Sequence, residues 1–197
     1  MLLLINNSTQ GNTLSFIFQI RKALRDLKIH YIETNKIDEK ILKNKHKIKG
    51  IILSGSPMIL FDDVLSSFNF DIYYMLNINV PVLGICFGCQ LLTLLNGGSL
   101  IDRKSLFCET TEVTLSDNLL FKGLDNPLIK FCFNDLPVGP KKSELVKEIA
   151  WIHIDGRQKA IAFEFQKNKV FGILGHPELH KHSWVIYKNF AKFCGSI

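Results

Sequence analysis

The sequence has no run of about 18 apolar residues, the length a bilayer-crossing helix needs, so no such helix is expected. Cysteine is sparse. Its five copies form an odd set at spacings unlike a disulfide framework, which points to a reducing, cytoplasmic setting. No second Cys-x-x-Cys accompanies Cys86-Phe87-Gly88-Cys89, and Cys108, Cys132 and Cys194 stand singly, so neither zinc nor another metal is expected. A Gly-x-x-x-x-Gly-Lys-Ser/Thr phosphate loop is also absent, and no cofactor is expected. Nor is there an internal repeat or linker, so residues 1–197 read as one domain.

What is there is globular: 47% hydrophobic and 21% charged residues, enough apolar material for one substantial core. The opening Met1-Leu2-Leu3-Leu4-Ile5 has no basic residue before it and is cut short by Asn6-Asn7, so a buried first strand fits better than a signal peptide. The net charge of +6 is mostly lysine, densest at Lys40, Lys43, Lys45, Lys47 and Lys49. No aromatics interleave with those lysines as a base-stacking groove requires, so a solvated face is expected and no nucleic-acid partner.

Short apolar runs alternate with helix-period segments. Leu2–Ile5, Ile29–Ile32, Gly50–Leu53 and Val80–Ile85 are strand-like, with helices over Leu14–Leu27 and about Gly88–Leu95. This alternation predicts an α/β fold: a three-layer, open, mostly parallel sheet with helices on both faces. The second half differs. Val113–Leu115, Leu128–Phe133, Ile149–Ile154, Ala160–Phe165 and Val170–Leu174 are strand-like, and the short turns Asp155-Gly156 and Lys167-Asn168 predict antiparallel additions. A closing helix, about Ser183–Phe193, is expected to bury Ile186, Tyr187, Phe190 and Phe193.

The chemistry concentrates at Gly84-Ile85-Cys86-Phe87-Gly88. A buried strand that runs straight into a helix must turn sharply, and flanking glycines permit crowding that a Cβ would forbid. The cysteine then sits at an elbow, at the positive end of a helix that favours a thiolate. Two rival readings exist: a small buried cysteine, and a Cys86/Cys89 dithiol redox pair. The redox reading leaves His176-Pro177-Glu178 without a role. That tripeptide follows an apolar strand, and Pro177 disfavours helical backbone at His176, so an extended stretch is expected with His176 and Glu178 on one side. A nucleophilic cysteine needs a base, and the base needs a group to orient it, so Cys86, His176 and Glu178 form a candidate triad. His180 and His182 are rival bases, expected on a solvated loop.

At these residues the chain resembles the class I glutamine amidotransferases, the family of the glutaminase domain of GMP synthetase. The resemblance rests on Ile51-Ile52-Leu53-Ser54-Gly55-Ser56-Pro57, similar to the family's Ser-Gly-Gly-Pro turn, on the Cys86 elbow with Gln90-Leu91-Leu92, and on Gly175-His176-Pro177-Glu178. Gly97-Gly98, Leu120-Phe121-Lys122-Gly123-Leu124 and the Asn189–Gly195 ending add support. The resemblance implies hydrolysis of glutamine or a γ-glutamyl compound, with Cys86 attacking the side-chain amide and His176 protonating the departing ammonia. It implies an oxyanion hole from the backbone N–H groups of Phe87 and Ser56, and substrate contacts from Gly55 and Gln90. The expected partner is a separate synthetase, first a GMP-synthetase-like one. The alternatives are an independent γ-glutamyl hydrolase and a catalytically weak regulatory subunit. Four places depart from the family pattern: Ser56 for the usual glycine, Phe107-Cys108 for a Glu-Tyr pair, Cys132-Phe133-Asn134-Asp135 for Ser-His-x-Asp, and Ile173-Leu174-Gly175 for Val-Gln-Phe. Phe107, Cys132 and Phe133 are expected to leave the pocket for glutamine's charged head largely apolar.

Overall fold

A computed structural model of the chain describes residues 1–7, 14–34, 39–56, 79–140, 146–165 and 169–197. Twelve strands and four α-helices are found among them. In chain order they are β1 (Leu2–Ile5), α1 (Leu14–Asp26), β2 (Tyr31–Thr34), α2 (Glu39–Asn44), β3 (Gly50–Leu53), β4 (Val82–Ile85), α3 (Phe87–Leu95), β5 (Ser99–Phe107), β6 (Thr110–Glu112), β7 (Thr114–Leu115), β8 (Leu128–Lys130), β9 (Phe133–Val138), β10 (Val146–Ile154), β11 (Arg157–Phe165), β12 (Val170–Ile173) and α4 (Val185–Phe193). The central sheet has eight strands in the order β2-β1-β3-β4-β12-β11-β10-β7.

The first five of these strands run parallel, β12 included. The apolar runs explain why. β1, β3, β4 and β12 are buried at every position, as a strand covered on both faces must be. Helices cover both faces. Successive residues of a strand point to opposite sides, and β12 shows each side's cover. A Cβ on Gly172 would lie 2.8 Å from Cys89 Sγ of α3. On the opposite side Phe171 packs edge-on against Phe193 of α4, with ring centroids 5.8 Å apart. The antiparallel additions are β11, β10 and β7. The β10–β11 turn is Asp155-Gly156, both with positive φ (51° and 71°), the backbone a two-residue hairpin needs.

Several boundaries differ from expectation. Ile29 is not in β2; it closes α1 by donating to Leu24 O (2.8 Å), and pairing with β1 begins at Tyr31. β4 begins at Val82, after Pro81. The run Leu128–Phe133 is not one strand. It divides into β8, paired with β6, and β9, paired with the unanticipated β5. α4 buries Ile186, Tyr187, Phe190 and Ala191, whereas Phe193 is 36% exposed at the rim. Lys167-Asn168 and Pro57 lie outside the described residues. Lys43, Lys45, Lys47 and Lys49 are exposed. No helix among the described residues is long and apolar enough to cross a membrane.

The topology positions the site. β3, β4 and β12 are parallel neighbours in register, Leu53 beside Gly84 and Ile85 beside Ile173. Their carboxyl ends therefore deliver Ser54-Gly55-Ser56, Cys86 and Leu174-Gly175-His176 to one edge of the sheet, where open α/β sheets place their sites.

Candidate active site

Cys86 is the cap residue between β4 and α3, with φ 50° and ψ −106°. A β-substituted residue in the positive-φ region is strained, and here the surroundings hold it there. Its N–H donates to Ile173 O (2.8 Å), and its carbonyl accepts from Gln90 N (3.1 Å) as the first helical bond of α3. The flanking glycines are dictated by contact. A Cβ on Gly84 would lie 2.5 Å from the Gly88 backbone, and a Cβ on Gly88 would lie 2.6 Å from Leu53 O. The sequence pattern Gly-x-Cys-x-Gly is thus a packing requirement of an elbow pressed against β3. Cys89 is not at the elbow; it is wholly buried under β12.

His176 and Glu178 form a buried pair, with Nδ1 2.8 Å from Oε1 and both side chains almost inaccessible. The expected extended tripeptide is not found. His176 has φ −111° and ψ 76°, and Pro177–Leu179 form one 3₁₀ turn. Proline suits the first position of such a turn, where its missing N–H costs nothing. The turn curls the Glu178 carboxylate back onto the imidazole. The His176 N–H donates to Lys130 O (2.7 Å), which ties the histidine to β8.

Three partners of this pair carry no signal in the sequence. Tyr187 of α4 donates its hydroxyl to Glu178 Oε2 (3.2 Å), Trp184 Nε1 donates to the Glu178 carbonyl (2.9 Å), and Phe16 of α1 stacks on the His176 ring, centroids 4.1 Å apart and planes 17° from parallel. Burial alone would pull the His176 proton affinity down. The charges of Cys86 and Glu178, and hydrogen bonding to both, outweigh it and raise the ring from 6.5 to about 10. The arrangement favours a protonated imidazole held against the Glu178 carboxylate. Tyr187, buried beside that carboxylate, is pushed well above its ordinary value by desolvation and then by the Glu178 charge.

The Ser54–Ser56 turn lies against both groups: a Cβ on Gly55 would come within 3.3 Å of His176 Cε1 and 3.5 Å of Cys86 Cβ. The turn is braced by Asn7, just after β1. Asn7 N donates to Ser54 Oγ (2.9 Å), its Nδ2 donates to Ser54 O (2.8 Å), and Ser54 Oγ donates to Gly55 O (3.0 Å). In the sequence Asn7 marks only the end of an apolar run.

A cavity of about 240 Å³ opens beside Cys86 and His176, and Ser56 and Gln90 line it. Gln90 is buried, not on an exposed helix face, and its Nε2 donates to Asp135 O (2.8 Å). The expected apolar lining is only partly found. Cys132, Phe133 and Leu106 do line the cavity, but so do Asn134 and Asp135. Phe107 packs instead on Phe133, ring centroids 5.3 Å apart, and its exposed neighbour Leu106 takes the cavity side. Desolvation, then the Asp102 charge across the β5–β9 pair, raises the Asp135 carboxyl. The rival bases fall apart from this cluster: His180 and His182 contact each other, and His182 is exposed. Among the described residues no three His, Cys, Asp or Glu are grouped so as to hold a metal ion.

The arrangement sets the Cys86 sulfur at a helix N-terminus beside an imidazole oriented by a carboxylate, a set able to serve acyl transfer. Comparison with known proteins gives the family. Residues 9–192 match the family model described as Glutamine amidotransferase class-I. A glutamine-hydrolyzing GMP synthase of Debaryomyces hansenii is 32% identical over 180 residues, 87% of this chain but 32% of that protein, so the chain spans about a third of that relative. A glutamine-hydrolyzing GMP synthase subunit of Methanococcus vannielii is 30% identical over 202 residues, 99% of this chain and 97% of that one. In fold, a Thermoplasma acidophilum protein assigned as a GMP synthase subunit has a TM-score of 0.78 at 22% identity, covering 99% of this chain and 94% of that one. The PurLQS structure from Thermotoga maritima has a TM-score of 0.71 at 14% identity, covering 97% of each. Elbow, buried histidine–glutamate pair and family match together establish that the chain belongs to the class I glutamine amidotransferases.

Proposed function

We propose that the chain, acting as one domain, hydrolyses the side-chain amide of glutamine and supplies the ammonia to a separate synthetase, as the names of its GMP synthase relatives suggest. The observation that carries this reading is the buried His176–Glu178 pair at 2.8 Å, set beside Cys86 on an elbow of positive φ. The Cys86 thiolate attacks the amide carbon, and the new oxyanion lies between the N–H of Phe87, first in α3, and that of Ser56. One such donor typically lowers the barrier by about 3–4 kcal/mol. His176, its Nδ1–H held by Glu178, delivers the proton on Nε2 to the departing nitrogen, leaving a thioester. Water, its proton taken by His176, then releases glutamate and restores the thiolate. Gly55 leaves room beside the nucleophile for the amide, and Gln90 braces the wall that faces it.

The test is a glutaminase assay on the purified chain, with and without an ATP-dependent GMP synthetase partner, and with a parallel panel of γ-glutamyl amides and peptides. Release of glutamate and ammonia, increased by the synthetase, is the expected result. Efficient cleavage of γ-glutamyl peptides without a partner, and none of glutamine, would replace this reading with that of an independent hydrolase.

A further inference from the structure

Two cysteines that the proposed reaction does not use face each other, and one of them, Cys132, is on the cavity wall. Glu109 and Phe131 exchange both backbone hydrogen bonds (3.1 and 2.8 Å). Phe107 pairs with Phe133 on one side of them, and Thr110 with Lys130 on the other. One antiparallel register therefore runs from the β5–β9 pair into the β6–β8 pair, and it sets Cys108 opposite Cys132. Next to a hydrogen-bonded pair comes a non-hydrogen-bonded one, whose Cα atoms approach to about 4.5 Å. That lies within the span of about 4.4–6.8 Å that a disulfide bridges without backbone movement. The side chains agree: the two Sγ atoms are 2.6 Å apart. Both thiols are free.

The pair also touches the site. Cys132 lines the cavity, and its carbonyl accepts from Cys86 Sγ at 3.7 Å. Two residues earlier, the Lys130 carbonyl accepts from His176 N. Cys108 is exposed and Cys132 half-buried. We propose that Cys108 and Cys132 are a modification site, a reversible disulfide that closes on the wall of the glutamine pocket; this rests on the function proposed above only for what the pocket holds.

The chemistry is thiol–disulfide exchange with a small disulfide such as oxidised glutathione. The Cys108 thiolate attacks one glutathione sulfur, the S–S bond breaks, and one glutathione thiolate leaves. The Cys132 thiolate then attacks Cys108 Sγ, forms the protein disulfide and expels the second glutathione. The two protons lost by the protein end on the two glutathione thiols, and the two electrons reduce the oxidised glutathione. Burial, then the adjacent Cys108, pushes the Cys132 thiol up to about 11, which leaves the exposed Cys108 as the entry point. The register that sets the two residues opposite each other leaves their Cα atoms at bridging distance, so the bond closes without displacing the wall. It fixes Cys132, whose carbonyl meets Cys86, in place.

The experiment equilibrates the intact chain in glutathione buffers of graded redox ratio, quenches with acid, alkylates free thiols and maps peptides by mass spectrometry. The expected product is a Cys108–Cys132 linked peptide pair, two hydrogens lighter than the reduced pair and reversed by dithiothreitol. Cys86, Cys89 and Cys194 should remain alkylatable after denaturation. The Cys132→Ser variant should instead accumulate glutathione on Cys108, and Cys108→Ser should show no link at Cys132. Full alkylation of both thiols in the most oxidising buffer, or a Cys86–Cys132 link as the main product, would overturn the proposal. The mapping does not depend on turnover. An inactive chain that still forms the link would count against the proposed glutaminase alone, and an active chain without the link would count against the disulfide alone.

Discussion

Replacing Glu178 by glutamine keeps the shape of the side chain and removes one charge from a fully buried site. The carboxylate is 2.8 Å from His176 Nδ1 and also accepts from Tyr187. The rise of His176 from 6.5 to about 10 amounts to about 5 kcal/mol in favour of the protonated ring, after the cost of burial. The Glu178 charge and its hydrogen bond are among the interactions that raise the ring, beside those of Cys86, so a neutral amide there weakens the hold on the proton. The sign follows directly. His176 must be protonated to release ammonia, so kcat/KM should fall as pH rises through the region near 10 in the wild-type chain. In Glu178→Gln that alkaline limb should move to lower pH, and activity on the plateau should fall by about 10- to 100-fold. The assay is glutamate release from glutamine across neutral to strongly alkaline pH, with circular dichroism to verify the fold. An alkaline limb that stays in place in a folded Glu178→Gln protein would refute the electrostatic role given to the carboxylate.

Cys86→Ser should abolish glutaminase turnover without loss of the fold, while Cys89→Ser, behind the elbow, should keep most activity; equal loss in both would favour a dithiol mechanism. His176→Ala should lower kcat by about a thousandfold or more, while His180→Ala and His182→Ala should change it little, as read by steady-state kinetics. Phe16→Ala removes the ring stacked on His176 and should lower kcat more than it raises KM, with Phe16→Tyr restoring most of the rate; an unchanged kcat would mean the stack does not position the imidazole. Gly84→Ala forces a Cβ against the Gly88 backbone and should destabilise the chain by about 3 kcal/mol, or prevent folding, as measured by thermal melting.

Much of the fold and the chemistry was determined by the sequence itself, because local rules govern them. Strands buried on both faces read as unbroken apolar runs, so β1, β3, β4 and β12 were legible. Asp155-Gly156 marked a hairpin because few other pairs accept two positive φ angles. Cys86 was legible for a similar reason: its glycines are required within five residues, where the strand meets the helix. The histidine and glutamate lie two apart and travel together, although a 3₁₀ turn, not an extended stretch, brings them into contact.

What only the tertiary structure decided lies between residues far apart in the chain or in strands with no buried face. β5 is exposed or half-buried at every position before Phe107, so it carries no alternating apolar signal. β8 and β9 form one apolar run, and only their different partners divide it. In the sequence Tyr187 is an apolar position of the closing helix and Asn7 ends a strand, while Trp184 and Phe16 carry no signal of their own. Each was assigned to the site by packing, since a buried carboxylate or carbonyl must find donors wherever the fold supplies them. Cys108 and Cys132, 24 residues apart, stood singly in the sequence, and the register of two short strand pairs put them face to face.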